Sequence, residues 1–346
     1  MPGLDSQITR DMKDGMMKQS DLSTLASGVR AGERRVLARA ITLVESGRAD
    51  HRRDALALLE ALGTQKQALR IGLSGTPGVG KSTFIESLGL MLTGMGKRVA
   101  VLAVDPSSAR SGGSILGDKT RMERLARDPN AFIRPSPSQT QLGGVARRSR
   151  DAVALCEAAG FDVVLIETVG VGQSETVVAQ MADLFVLLLA PVGGDELQGV
   201  KRGIMEMADL ILVNKADGDL KARAMRTCAD YAGALRLLRK RPQDPEGFPK
   251  ALTVSALEAD GLLAAWEEME ALTRWRCETG VWGGNRAAQS RYWFGEDVRQ
   301  GLQEMLQHDP QTAARMQAAE ADVKAGRMTP AAAAAEVLGP LKERLG

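Results

Sequence analysis

The sequence predicts an α/β fold, with a mostly parallel central sheet covered by helices and further helices at either end. Three observations carry that prediction. Short runs rich in Val, Ile and Leu are apolar along their whole length, as strands buried on both faces are. Stretches of helical spacing alternate with them, which is the pattern of parallel strands joined by crossover helices. The first run also leads straight into a glycine-rich turn that ends in Gly-Lys-Ser.

Taken in order, Leu22 to about Leu69 carries apolar residues at helical spacing, as in Val36, Leu37, Ala40, Leu43 and Val44, so residues 1–69 read as a helical extension. Strands are expected at Arg70–Ser74, Arg98–Val104, Asp162–Ile166, Leu184–Ala190, Leu210–Val213 and Ala251–Val254. A helix is expected at Thr83–Leu92, and residues 70–276 form the sheet domain. After Ser255 the strands stop. Leu262–Thr273, Ala287–Leu306, Ala313–Ala325 and Pro330–Leu345 read as helices, and residues 277–346 form a C-terminal helical arm. Gly280–Asn285 (GVWGGN) breaks the helical pattern and reads as a hinge. Trp266, Trp275, Trp282 and Trp293 all lie in this last part, where aromatics at helical spacing favour packing or self-association over a cofactor box.

At 346 residues and 44% hydrophobic, the chain can bury a full core. A net charge of +2 and 3% aromatic residues argue against a nucleic-acid partner. Cys156, Cys228 and Cys277 are odd in number, far apart and outside any CxxC pair, so neither a disulfide framework nor a zinc site is suggested. His51 and His308 are expected at the surface. The N-terminus lacks the apolar stretch of a secretory signal, and Asp5, Asp11 and Asp14 argue against a transit peptide. Leu184–Val192, the most apolar run, is far short of the ~20 residues a membrane span needs. A soluble, cytoplasmic protein with no membrane partner is expected. Arg147, Arg148 and Arg150 read as solvated helix charges in preference to a site for an acidic partner.

The chemistry starts at Gly75-Thr76-Pro77-Gly78-Val79-Gly80-Lys81-Ser82, followed by Thr83, which fits GxxxxGK[ST] between a strand and a helix. Glycines let the backbone wrap phosphates at a helix N-terminus. Lys81 is expected at the β- and γ-phosphates and the Ser82 hydroxyl on Mg2+. The fold is therefore that of a P-loop NTPase. Asn214-Lys215-Ala216-Asp217 directly follows a strand and fits NKxD, whose carboxylate accepts from both N1–H and the exocyclic amine of guanine. GTP is thus the expected substrate and GDP the product. Ser255-Ala256-Leu257, after the last strand, fits the remaining base-contacting loop. Glu167, at a strand end before Thr-Val-Gly, is placed to support magnesium, where ordinary GTPases carry Asp. Asp105 supplies a second carboxylate, and Asp118 is a third candidate that reads equally well as a cap or surface charge. Gln173 has two readings, orienting the attacking water or facing solvent at a helix start.

These segments in this order resemble the methylmalonyl-CoA mutase-associated GTPases, the MeaB group. The likeness rests on GTPGVGKST at Gly75, VDPSSARSGGSILGDKTRM at Val104, ETVGVGQSE at Glu167 and APVGGDELQGVKRGIMEMADLILVNKAD at Ala190. It implies magnesium support from Ser82, Asp105, Asp118 and Glu167, and an extra switch loop at 195–201 in which Asp195 and Lys201 couple to a partner. It further implies a G-protein chaperone that gates adenosylcobalamin loading and protects an adenosylcobalamin-dependent acyl-CoA mutase, and a homodimer formed through the C-terminal arm. Three alternatives stand beside it, one of them a pure binding module whose nucleotide is structural and never turned over. A transport-system-associated kinase would yield a phosphorylated product, and a metallocentre-assembly GTPase would need Cys and His clusters that this chain lacks.

Overall fold

The computed structural model describes residues 17–63, 67–104, 122–135, 145–168, 174–191, 202–238, 241 and 244–345. Seven strands form one sheet: β1 (Leu69–Ser74), β2 (Val99–Val104), β3 (Ala131–Arg134), β4 (Val163–Thr168), β5 (Leu184–Leu189), β6 (Leu210–Val213) and β7 (Lys250–Thr253). Their order is β3-β2-β4-β1-β5-β6-β7, and every pairing is parallel. All residues of β4, β5 and β6 are buried, as strands covered on both faces must be. Strand β3 is the one not expected from the sequence. Its apolar run is only Ala131-Phe132-Ile133, set off by a turn in which the Asp128 carboxylate accepts from the Asn130 N–H at 2.8 Å.

The core lies between the sheet and α4 (Lys81–Gly94), α5 (Glu123–Arg127) and α10 (Leu262–Glu278). Phe84, Ile85, Leu88, Leu92, Leu125, Trp266 and Met269 pack there on Ile71, Leu73, Val101, Leu165 and Val186. Side chains alternate along a strand, so Gly72 faces the other side, where Val178 of α7 (Ser174–Met181) lies against it. The helix α6 (Val145–Ala158) packs on β2 and β4, and α8 (Arg202–Met207) and α9 (Lys221–Leu237) precede and follow β6.

The helical extension is α1 (Gln19–Arg30), α2 (Arg34–Glu45) and α3 (Ala49–Leu62). In α2, Leu37, Ala40, Ile41 and Val44 form the buried stripe. Polar ties hold these helices to the sheet domain: Arg52 pairs with Asp151 of α6 at 2.8 Å, and Arg34 donates to the carbonyls of Asp128 and Ala126 at 3.1 and 3.2 Å. They belong to one compact unit, Met1–Gln289.

At the N-terminal edge of the sheet an aspartate stands one residue before each of β4, β5 and β6. Asp162 gives its N–H to the Arg98 carbonyl (2.8 Å) and accepts the Arg98 N–H on its carboxylate (2.7 Å). Asp183 does the same with Arg70 (2.8 and 2.9 Å), and Asp209 with Phe185 (2.8 and 2.7 Å). Beneath this edge, Arg276 of α10 reaches Asp209 (2.6 Å) and Asp244 (2.5 Å). Arg286, near the start of α11 (Val281–His308), reaches Asp183 and Glu157.

The second unit, Ser290–Gly346, contains the rest of α11 with α12 (Pro310–Lys324) and α13 (Pro330–Leu345). The Asp309 carboxylate caps α12, accepting the Thr312 N–H at 3.0 Å with Pro310 at the first helical position. Within this unit Phe294, Val298, Leu302 and Met305 are exposed along α11, and a groove of roughly 610 Å³ between α12 and α13 is lined by Met316, Val323, Val337 and Leu338.

Three local expectations are corrected. GVWGGN is no six-residue break: only Thr279 and Gly280, the latter at φ +75°, separate α10 from the next helix, and residues 281–285 are already helical. His51 is buried, with its Nδ1 2.7 Å from the Ser46 hydroxyl, and Arg148 is buried as well. His308 lies outside the described side chains.

Candidate functional site

The loops expected to bind nucleotide all leave the C-terminal edge of the sheet, where β1 sits between β4 and β5. In open α/β sheets this is the switch point at which ligands bind. The loop after β1 enters α4 directly. A Cβ at Gly75 would collide with the Leu188 carbonyl oxygen of β5. At Gly80, φ is +89° and a Cβ would lie 2.8 Å from Asn214 Nδ2. Only glycine fits both positions, and the backbone they permit brings the N-terminal end of α4 to the loop. Thr76, Pro77, Gly78 and Thr83 are exposed, Val79 is buried in the core, and Ser82 is half-buried.

Lys81 Nζ turns back over the loop and donates to the Gly75 carbonyl at 2.6 Å. Burial pushes its ammonium below the usual lysine range, while the carboxylates of Glu167 and Glu175 pull it upward. Glu167 lies within β4 near its C-terminal end and is buried. Glu175, in the first turn of α7, is equally buried and was not picked out in the sequence. An acid at a helix start beside a glycine-rich segment is the signal that marks it.

Asn214 joins the two halves of the site. Its Nδ2 donates to the Val79 carbonyl of the phosphate loop at 2.9 Å, and its Oδ1 accepts the Ala256 N–H at 3.0 Å. Lys215, exposed at φ +60°, turns the chain so that Asp217 comes back toward the loop after β7. There the Ser255 hydroxyl donates to the Asp217 carboxylate and accepts the Glu258 N–H at 3.1 Å. Leu257 is largely exposed. All three motifs thus converge on one edge, linked by side chains rather than by sequence. Asp105, Asp118, Gln173, Asp195 and Lys201 lie outside the described residues.

The cradle suits phosphates: a loop in which Gly75 and Gly80 admit no larger residue, a helix N-terminus and a half-buried cation. Ser82 and Glu167 offer the hydroxyl and carboxylate oxygens that suit Mg2+. A family model described as "Methylmalonyl Co-A mutase-associated GTPase MeaB" matches residues 37–311. The chain belongs to this family. It is therefore a GTPase, with GTP and GDP as its substrate and product.

Its relatives in this family agree over most of their length. It is 45% identical to "Methylmalonic aciduria type A homolog, mitochondrial" of Mus musculus, over 97% of this chain and 83% of that protein. It is 46% identical to "GTPase ArgK" of Escherichia coli, over 85% of this chain and 87% of that one. A solved structure described as "LAO/AO transport system kinase" matches with a TM-score of 0.73 at 35% identity, covering 95% of this chain and 100% of that one. The family membership and this structural match bear out the P-loop α/β fold. No helix among the described residues is long and apolar enough to cross a membrane.

Proposed function

We propose that this GTPase is a nucleotide-timed chaperone of an adenosylcobalamin-dependent acyl-CoA mutase, gating cofactor loading and guarding the mutase against inactivation. The observation that carries the nucleotide part is the Asn214 bridge, which ties the phosphate loop to the base loop so that both report on one ligand. The mutase part is supported by the family description over residues 37–311. In this reading Asp217 reads guanine, the glycine loop and Lys81 hold the phosphates, and Ser82, Asp105, Asp118 and Glu167 hold Mg2+. Bound Mg2+ supplies charge neutralisation at the phosphates. Gln173 orients water, and the loop carrying Asp195 and Lys201 faces the client. Lys201 adds positive charge where negative charge gathers in hydrolysis.

Homodimerisation through the C-terminal arm, residues 277–346, belongs to the same reading, with a helical extension at 1–69 and the GTPase domain at 70–276. Its support is the exposed stripe Phe294, Val298, Leu302 and Met305 within the second unit, because soluble monomers seldom expose contiguous apolar surface of this kind. A cytoplasmic location fits the absence of a spanning helix among the described residues.

Single-turnover hydrolysis with and without a cognate mutase, for wild type and Lys201→Ala, tests the proposal. Intrinsic turnover is expected in the ~10⁻⁴–10⁻² s⁻¹ range of unassisted small GTPases. The mutase should accelerate it, and Lys201→Ala should lose most of that gain. No acceleration in either protein overturns the chaperone role, and equal acceleration in both removes Lys201 from it. A phosphorylated acceptor in place of free phosphate would instead indicate the kinase reading.

A further inference from the structure

One contact at the nucleotide edge belongs to no motif. Ser87, half-buried on α4 about 1.7 turns beyond Lys81, donates its hydroxyl to the Ala256 carbonyl at 2.6 Å. The Ala256 peptide is thereby gripped on both sides, since its N–H is held by Asn214 Oδ1 at 3.0 Å. Ala256 itself is buried. The preceding residue, Ser255, donates to the Asp217 carboxylate. A chain of contacts thus runs from the helix that begins at the phosphate loop, through the loop after β7, to the acid that reads the base.

We propose that Ser87 is a positioning residue for guanine recognition: it fixes the base loop against α4 and so sets the orientation of Asp217. The inference rests on the reading of Asp217 as the guanine-binding acid and adds the residue that aims it. Without the hydroxyl, the Ala256 carbonyl loses its donor and the Ala256 peptide is held only at its N–H, by Asn214. Asp217 then meets the base less squarely. Phosphate contacts are made elsewhere, so the loss should fall on the base. The most sensitive readout is discrimination between guanine and hypoxanthine, which lacks the exocyclic amine that a carboxylate accepts from.

The test compares wild type, Ser87→Ala, Ser87→Thr and Asp217→Asn by the dissociation rate of fluorescent GDP and the ratio of GTP to ITP affinity. Ser87→Ala should release GDP about three- to tenfold faster, the scale of one lost hydrogen bond, and narrow the GTP-over-ITP preference by a similar factor. Ser87→Thr, which keeps the hydroxyl, should restore both. If Ser87→Ala only lowers the melting temperature, with rate and preference unchanged, Ser87 is a structural strut and the inference is overturned. Asp217→Asn separates the two levels. Loss of the preference there, alongside a wild-type Ser87→Ala, removes only Ser87. An unchanged preference in Asp217→Asn removes the base assignment and this inference with it.

Discussion

Arg286 and Asp183, far apart in sequence, meet in a two-point ion pair, with Nε 2.7 Å from Oδ1 and Nη2 2.6 Å from Oδ2. The same guanidinium reaches Glu157 at 3.0 Å and the Ala68 carbonyl at 2.7 Å, while Arg70 pairs with Glu157 at 2.6 Å. Two arginines thus balance two carboxylates in a buried cluster at the N-terminal edge of the sheet. Removing one partner strands a buried charge, which costs about 3–5 kcal/mol. Arg286→Met is expected to lower the urea-unfolding free energy by that amount. A loss below about 1 kcal/mol would show that the cluster is solvated and the pairing incidental.

Asp217→Asn should weaken GTP and strengthen xanthosine triphosphate. Xanthine carries a carbonyl where guanine has its amine, and an Asn amide can donate to it. For guanine the exchange leaves buried donors unpaired, at about 1–3 kcal/mol each. Titration of both nucleotides against both proteins measures this. Unchanged GTP affinity in the variant would sink the assignment of Asp217.

Glu167→Ala should slow turnover more than it weakens nucleotide binding, because the glycine loop and Lys81 still hold the phosphates. Asp105→Ala should behave alike. Hydrolysis followed against magnesium concentration is the measurement, and both variants should need more metal for half-maximal rate. One shared metal dependence for wild type and variants would exclude these carboxylates from the site.

The three cysteines should separate by reactivity. Cys156 is fully buried, and burial holds its thiol far above the usual range; Cys228 is half-buried and Cys277 exposed. Native protein should therefore show one fast thiol, one slower, and a third only on unfolding. Desolvation also raises the Cys277 thiol. Its thiolate is thus a minor species at neutral pH, and its labelling rate should climb about tenfold per pH unit until the thiol pKa is passed. Fast labelling of Cys156 in the folded protein would contradict its placement.

The parts legible in the sequence are those whose meaning is local. GTPGVGKS needs only the strand before it and the helix after it, and NKAD only the end of β6. The six expected strands fall within two residues of their observed bounds because each is an apolar run between turns. Short β3 escaped because three apolar residues before Arg134 do not outweigh noise, and its stability comes from β2 beside it. Ser87 escaped for a different reason: it meets a carbonyl 169 positions away, and nothing near it in the chain announces that, whereas Glu175 carries the local signal of an acid at a helix start. Polarity and charged neighbours put His51 and Arg148 at the surface, an expectation that fails where a buried polar group finds partners. Gly283 and Gly284 are helical despite weak propensity, between Trp282 and Arg286, whose side chains bond to Gln67 and the Ala68 carbonyl.

The position of β1 also has a kinetic side. Neither strand beside β1 is its neighbour in sequence: β4 and β5 flank it, and β2 lies beyond β4. A nascent chain that has just emitted the phosphate loop lacks both strands that flank β1, and the loop must wait for them to emerge. The base-reading segments come later still, after β6 and β7. Such distant pairings bring a large closure entropy before any contact rewards it. The complete nucleotide site therefore forms late in the order of synthesis. Only a sheet assembled through β7 brings the phosphate and base loops together, so tight GTP binding during synthesis would report that assembly.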